Sequence, residues 1–118
     1  MRIVLPIRTH SEANRREHWA PKAKRTKEQR IAARWFCMAA LDGKPVRPPL
    51  RITLRRIAPR CLDSDNLARS MKAVRDGVAD ALGIDDGDER LTWVYKQAQG
   101  APKQYEVWVD VEIREEGM

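Results

Sequence analysis

An amphipathic helix predicted over residues 66–82 constrains the fold more than any other segment. Its apolar side chains recur at spacings of three and four, which places them on one helical face; they are Leu67, Met71, Val74, Val78 and Leu82. A helix with a single apolar face must bury that face against another layer of structure. The pattern therefore predicts a layer packed beneath this helix.

Strand-like segments on both sides of the helix would supply that layer. Residues 50–58 alternate, with Leu50, Ile52 and Leu54 on one face. Residues 2–8 predict a first strand, and residues 91–97 and 105–114 predict a hairpin joined near Gly100. With 118 residues, we expect a single α+β domain over residues 1–118, ordered β-α-β-α-β-β, with one mixed sheet of four strands and two main helices. The expected core comprises Leu54, Leu67, Met71, Val74, Val78, Val107 and Val109.

A second long helix is predicted from Pro21, which suits a first helical turn, to about Leu41. Its first turns are basic, whereas its last turns are apolar on nearly every side. We therefore expect its end to be buried in the core or in a subunit interface.

Charge is divided unequally between the two halves of the chain. Residues 1–60 carry 16 basic and 4 acidic side chains, and residues 61–118 carry 7 and 13. Two soluble faces of opposite sign would give the same counts. A basic surface beside an acidic cluster is also what a nucleic-acid enzyme requires, because cations bind phosphates and carboxylates bind metal.

Two acidic motifs flank the amphipathic helix. Asp63 and Asp65 precede it, and side chains two residues apart on an extended backbone point to the same side. Either a ligand pair or an ordinary helix cap fits this motif. Residues 85–89 hold four acids, which fits a solvated turn or a metal site equally well, and they must fold back along the helix to meet the first pair.

The polar face of the same helix begins beside the first motif. It carries Arg69, Lys72, Asp76 and Asp80. Lys72 and Asp76 have the spacing of a common helical ion pair, so a solvated face is the plain alternative. If the two acidic motifs converge, carboxylates without histidine or cysteine favour Mg²⁺ or Mn²⁺ over zinc.

Neither an export signal nor a membrane-spanning apolar run is evident. Cys37 and Cys61 are the only cysteines, and in such a chain we expect reduced thiols. The expected location is the cytoplasm.

The motif Asp63-Ser64-Asp65-Asn66-Leu67, followed by a basic helix and then Leu82-Gly83-Ile84-Asp85-Asp86, resembles the RusA family of Holliday junction resolvases. The resemblance implies Asp63, Asp65 and Asp86 as metal ligands and catalytic residues, with Asp85 as a neighbouring ligand. The family's catalytic lysine falls at Arg69 here, so that role belongs to Arg69 or has moved to Lys72. The resemblance also implies a homodimer, bacterial or phage-encoded, that acts on branched DNA inside the cell.

The expected function is therefore Mg²⁺-dependent resolution of Holliday junctions, with Mn²⁺ as a possible substitute and no nucleotide cofactor. The expected DNA contacts come from the opening stretch, the basic helix and the first motif: Asn14, Arg15, Arg16, Lys22, Lys24, Arg25, Lys27 and Asn66. The alternative is a non-catalytic accessory protein that binds structured DNA. A general nuclease acting on RNA or linear DNA is a third hypothesis.

Overall fold

Helices and strands follow the predicted order in the computed structural model, which describes residues 1–10 and 19–114. The elements are β1 (Arg2–Leu5), α1 (Trp19–Leu41), β2 (Leu50–Ala58), α2 (Ser64–Ser70), α3 (Lys72–Leu82), β3 (Leu91–Gln99) and β4 (Glu106–Ile113). The first strand is shorter than predicted and ends before Pro6, because proline has no N–H to donate to a neighbouring strand.

The four strands form one mixed sheet in the order β1-β4-β2-β3. Strands β2 and β3 are parallel, from Leu50 beside Leu91 to Ala58 beside Gln99. Strand β4 is antiparallel to both of its neighbours, β1 and β2. The predicted hairpin of β3 and β4 is therefore wrong. The α2–α3 crossover places β3 on one side of β2, and β4 takes the other side.

The predicted helix over residues 66–82 is divided at Met71, so the domain has three helices among its described residues. The Met71 amide bonds to the Ala68 carbonyl, three residues back, which tightens the last turn of α2. The carbonyl of Leu67 instead accepts a 2.7 Å hydrogen bond from the Ser70 hydroxyl. A serine hydroxyl that competes for a helical carbonyl in this way explains the break.

The core lies between the helices and one face of the sheet. All seven residues predicted for it are buried: Leu54, Leu67, Met71, Val74, Val78, Val107 and Val109. Helices α1 and α3 approach so closely that a Cβ at Gly77 would clash with the Arg30 carbonyl oxygen and lie 2.7 Å from Ala33 Cβ. Only glycine permits this contact without a shift of one helix.

The apolar end of α1 is not buried within the chain. Leu41 is enclosed, but Trp35 is 67% exposed and Ile31, Phe36 and Met38 are each more than 40% exposed. Burial in the core was one of the two predicted outcomes, and for these four residues it is wrong. The sheet is already covered through Ala33, Cys37 and Leu41 on the opposite side of α1.

Across residues 1–10 and 19–114, no helix combines the length and the hydropathy needed to span a membrane. Cys37 and Cys61 are both free thiols, as predicted. Burial raises the pKa of the Cys37 thiol to about 12.

Candidate functional site

A cavity of about 590 Å³ lies between α1 and the pair α2–α3. We call it the basic groove, and its described lining residues are Lys22, Thr26, Lys27, Gln29, Arg30, Arg69, Ser70, Lys72, Ala73 and Asp76. Five of these ten side chains are lysine or arginine and one is acidic. The groove therefore joins cations from two distant parts of the sequence.

Lys72 connects the groove to the second acidic motif. Its ammonium donates to Asp76 Oδ1 at 2.8 Å and to Asp86 Oδ2 at 3.0 Å. Two carboxylates thus share one cation, and the Lys72–Asp76 pair has the predicted helical spacing. These hydrogen bonds raise the pKa of Lys72, so its ammonium is charged at neutral pH.

Asp86 is held from three sides. Arg75 donates from Nε to Asp86 Oδ2 at 3.1 Å and from its Nη2 to the Asp86 carbonyl at 3.0 Å. The Trp93 indole N–H donates to the same carbonyl at 2.9 Å. The hydrogen bond from Lys72, followed by the charges of Lys72 and Arg75, lowers the pKa of Asp86 against the opposing effect of burial. Asp86 is therefore an oriented carboxylate anion.

The first acidic motif has a different local role. Asp63 caps α2: its carboxylate accepts from the Asn66 backbone N–H at 2.9 Å and from the Asn66 side-chain amide at 3.0 Å. Asp65 lies in the first turn of α2 and is exposed. The structure therefore confirms the helix-cap interpretation for Asp63, whereas Asp65 remains exposed to solvent.

Alternate residues of β3 connect the two acidic motifs. Trp93 bonds to the Asp86 carbonyl, the Tyr95 hydroxyl accepts from Arg75, and the Gln97 side chain bonds both backbone groups of Leu62. Side chains at i, i+2 and i+4 of a strand share one face. Both motifs therefore lie on the same face of β3. Their anchor points are about 13 Å apart along the strand, at roughly 3.3 Å per residue.

The donor chemistry fits a hard divalent cation, since every candidate ligand is an aspartate. Within the part of the chain that the structure describes, however, no three acidic, histidine or cysteine side chains are gathered closely enough to hold a metal ion. Asp76 and Asp86 meet at Lys72, whereas Asp63 and Asp65 are not shown in contact with them. The convergence of the two motifs stays a prediction.

Asp85, the neighbouring candidate ligand, lies beside Asp86, whose pKa its side-chain hydrogen bond helps to lower. Its Oδ1 accepts from the Gly87 N–H at 3.2 Å, and it lines a shallow depression with Arg30, Arg34 and Asp80. Asp80 itself forms two hydrogen bonds with Arg30, at 2.7 and 2.9 Å. This end of the predicted polar stripe therefore fastens α3 to α1.

The predicted DNA contacts are distributed unevenly. Lys22 and Lys27 line the groove together with Arg69. Lys24 lies within 3.9 Å of Glu28 on the exposed side of α1, Arg25 is partly buried, and Asn66 is engaged with Asp63. Asn14, Arg15 and Arg16 fall outside the described residues.

Sequence reasoning missed the residues that hold the two acidic motifs in place. Arg75, Tyr95 and Gln97 were not among the candidates, and neither was Trp93. Its ring also lies 4.8 Å below the Arg75 guanidinium carbon. A run of polar-tipped side chains on one face of β3 was the available signal, because a strand buried against a plain core would carry aliphatic residues there.

A scan against known protein families finds no family model that matches the chain. The chain is 40% identical over 79 residues to an uncharacterized protein of Xylella fastidiosa. This match covers 62% of the present chain and 51% of that protein, so the chain spans about half the length of the relative. The name of this relative states no activity.

Proposed function

We propose that the chain is a metal-dependent endodeoxyribonuclease that resolves Holliday junctions or related branched DNA in recombination and repair. The observation that carries the proposal is the basic groove with two carboxylates at Lys72. Phosphodiester hydrolysis requires cations that bind the backbone and carboxylates that hold a metal, in one place. The resemblance to the RusA family supplies the reaction class.

Asp63, Asp65 and Asp86 would hold Mg²⁺, with Mn²⁺ as the substitute that oxygen ligands also accept. When bound, the ion would lower the pKa of an attacking water and stabilise the leaving oxygen. A ligand role requires Asp86 to exchange part of its contact with Lys72 for the ion. Asp85 would remain a neighbour, because it also lines the separate depression beside Arg34.

The chain's own cations would bind and orient the DNA backbone. Lys22, Lys27 and Arg69 line the groove. Each lysine would meet a phosphate as a compact point charge, and the arginine would meet it as a planar set of N–H donors. Lys72 is the stronger candidate for the catalytic cation, because its ammonium already contacts the carboxylate of Asp86 at 3.0 Å. It would neutralise charge that develops on the scissile phosphate.

Paired cleavage of a junction requires two sites in a two-fold relation, which a homodimer provides. The exposed apolar residues of α1 (Ile31, Trp35 and Met38) follow one helical face, and a second copy would cover it. In this proposal the dimer acts in the cytoplasm of a bacterial or phage-infected cell.

The direct test is cleavage of a synthetic four-way junction with Mg²⁺ or Mn²⁺, compared in one gel with linear duplex and RNA. Asp65→Asn should retain junction binding, but its cleavage rate should fall by on the order of 100-fold. Losing one group that stabilises charge in the transition state has an effect of that size. Asp42→Asn is the matched control, since Asp42 is exposed at the end of α1 and asparagine accepts its φ of 47°.

Wild-type protein that leaves the junction intact in both metals would contradict the proposal. Equal cutting by Asp65→Asn and Asp42→Asn would contradict the site assignment while leaving the enzyme class. Cleavage of RNA or linear duplex in preference to the junction would indicate the general nuclease.

A second candidate is a non-catalytic protein that binds branched DNA. It is favoured because Asp63 caps α2 and Asp86 accepts hydrogen bonds from Lys72 and Arg75. These contacts give both aspartates a structural role. Junction binding without cleavage, and a melting temperature that Mg²⁺ leaves unchanged, would select this alternative.

A further inference from the structure

A second pocket, of about 230 Å³, lies where β2 ends. Its described lining residues are Arg8, Thr9, His10, Arg56, Ala58, Pro59, Arg60 and Tyr105. We call it the arginine pocket. Three of these side chains are arginines, and none of the eight is an aspartate or glutamate. The proposed nuclease residues do not line it, and the expected DNA contacts do not include any of its members.

Arg56 is the unusual member of the arginine pocket, because it is a cation with only 7% of its surface exposed. It lies on the sheet face that carries Leu54, beside Val107 of β4. Its Nε donates to the Thr9 hydroxyl at 3.0 Å and its Nη1 to the Arg60 carbonyl at 2.6 Å. Both partners are neutral, so they orient the guanidinium without cancelling its charge.

The other two arginines add charge of the same sign. The Arg8 guanidinium carbon lies 4.1 Å from the centroid of the Tyr105 ring, a contact that fixes its position while its N–H groups can still donate. Arg60 is exposed at the rim. Among residues 1–10 and 19–114, no ion pair joins Arg8, Arg56 or Arg60 to a carboxylate.

Within the described residues, this arrangement leaves the buried charge of Arg56 without a carboxylate partner. Burial lowers the pKa of Arg56; Cys61 and Tyr105 oppose this effect, and the charge of Arg8 adds to it. A buried charge ordinarily has an oppositely charged partner. An anion that accepted hydrogen bonds from several guanidinium groups would provide one, and arginine forks match the oxygens of phosphate.

We propose that the arginine pocket binds a phosphate group through Arg8, Arg56 and Arg60. The space suffices for such a group with some water, since a water molecule accounts for about 30 Å³ of liquid. The group can belong to a nucleic-acid backbone or to free phosphate. Gln29, which lines the basic groove, donates to the Arg8 carbonyl at 3.0 Å, so the two sites are neighbours. This site does not depend on nuclease activity.

The first experiment titrates the protein with inorganic phosphate and follows the Arg56 Nε–H signal by NMR, with sodium chloride at matched ionic strength as reference. We expect a saturable shift in phosphate and none in chloride. Arg60→Gln and Arg8→Gln should each weaken phosphate binding about tenfold, since one charge-assisted hydrogen bond has about that value. Both residues are exposed, so these variants avoid the folding risk of replacing Arg56.

Arg51→Gln is the matched control, because Arg51 is an exposed arginine of β2 that does not line the pocket. It removes the same charge and should leave phosphate binding within about twofold, as for a distant and screened charge. Equal shifts in phosphate and chloride would overturn the proposal. So would equal losses in Arg60→Gln and Arg51→Gln.

A second arm measures metal-free binding of a DNA junction by fluorescence anisotropy with the same variants. A larger loss for Arg60→Gln than for Arg51→Gln identifies the DNA backbone as the source of the phosphate. Unchanged DNA binding together with lost phosphate binding identifies a free phosphate group, which equally supports the site. Because no metal is added, these results stand whether or not the protein cleaves DNA.

Discussion

The basic groove and the arginine pocket are both cationic, but they differ in how their charge is balanced. Lysines predominate in the proposed DNA contacts of the groove, and Lys72 there is bonded to two carboxylates. In the pocket, arginines face neutral partners, and none of its described lining residues is acidic. A site for phosphate chemistry needs both signs of charge, whereas a site that only holds phosphate needs cations alone. We therefore expect the basic groove to carry the cleavage reaction and the arginine pocket only to hold phosphate.

The largest expected effect is on junction cleavage, in which the neighbouring residues Asp86 and Asp85 should differ. Asp86→Asn should reduce junction cleavage by at least about 100-fold, because losing a metal ligand should exceed the loss of an outer-shell partner. Asp85→Asn should cost less, about tenfold, since Asp85 hydrogen-bonds to Asp86 and also lines a separate depression. Cleavage rates at saturating Mg²⁺ provide the measurement, and equal losses in the two variants would contradict the assignment.

Gly77→Ala should destabilise the packing of α1 against α3 beside the basic groove and leave phosphate binding in the arginine pocket unchanged. The added methyl group would meet the Arg30 carbonyl and Ala33, which forces α1 and α3 apart at a cost of about 1–3 kcal/mol in the free energy of unfolding. Urea denaturation measures that loss, and phosphate affinity of the folded variant should not change.

Gly87→Ala is the control for Gly77→Ala, because a Cβ at Gly87 would make only an ordinary contact, 4.0 Å from Asp85 Oδ1. Its cost should remain within about 0.5 kcal/mol. A stability of Gly77→Ala equal to that of Gly87→Ala would mean that the two helices adjust freely, and the groove would then lack a fixed width.

The smallest expected effect concerns the Arg30–Asp80 pair that fastens α1 to α3. Hydrogen bonds from Arg30 lower the pKa of Asp80 below its ordinary 3.8. The folded state therefore binds this proton less readily than the unfolded state, and the pair stabilises the fold above the ordinary pKa. Its contribution is lost as the pH falls through the lowered pKa. Both side chains are partly exposed, so Asp80→Asn should cost only about 0.2–1 kcal/mol near neutral pH.

Melting temperatures of Asp80→Asn and wild type, compared over a falling pH series, measure this contribution. The difference should shrink toward zero in acid, while Asp42→Asn should stay parallel to wild type throughout. A constant difference between Asp80→Asn and wild type would show that packing, rather than the ion pair, joins the helices.

The core and the element order were predictable from the sequence because they depend on local periodicity. Met71, Val74 and Val78 share a helical face whatever the strand order is, and they are buried. The break at Met71 was not predictable from periodicity, because it depends on the Ser70 hydroxyl taking the Leu67 carbonyl. The hairpin prediction failed because alternation in β4 shows which face is buried and not which strands lie beside it.

The site was predictable in part. The Lys72–Asp76 pair follows from helical spacing. Lys22 and Lys27 were predicted DNA contacts, and both line the basic groove. The contacts of Asp86 with Lys72 and Trp93 join residues across a loop, and no local pattern encodes them. The arginine pocket depends on three strands meeting at one end of the sheet, so its three arginines looked unrelated along the chain.

Paramagnetic broadening by Mn²⁺ tests most directly the central claim that both acidic motifs share one divalent ion. Substoichiometric Mn²⁺ should broaden the backbone amide signals of residues 63–66 and 85–87 together, and leave those of Arg8 and Arg56 sharp by comparison. Broadening of one motif without the other, or of neither, would contradict the account.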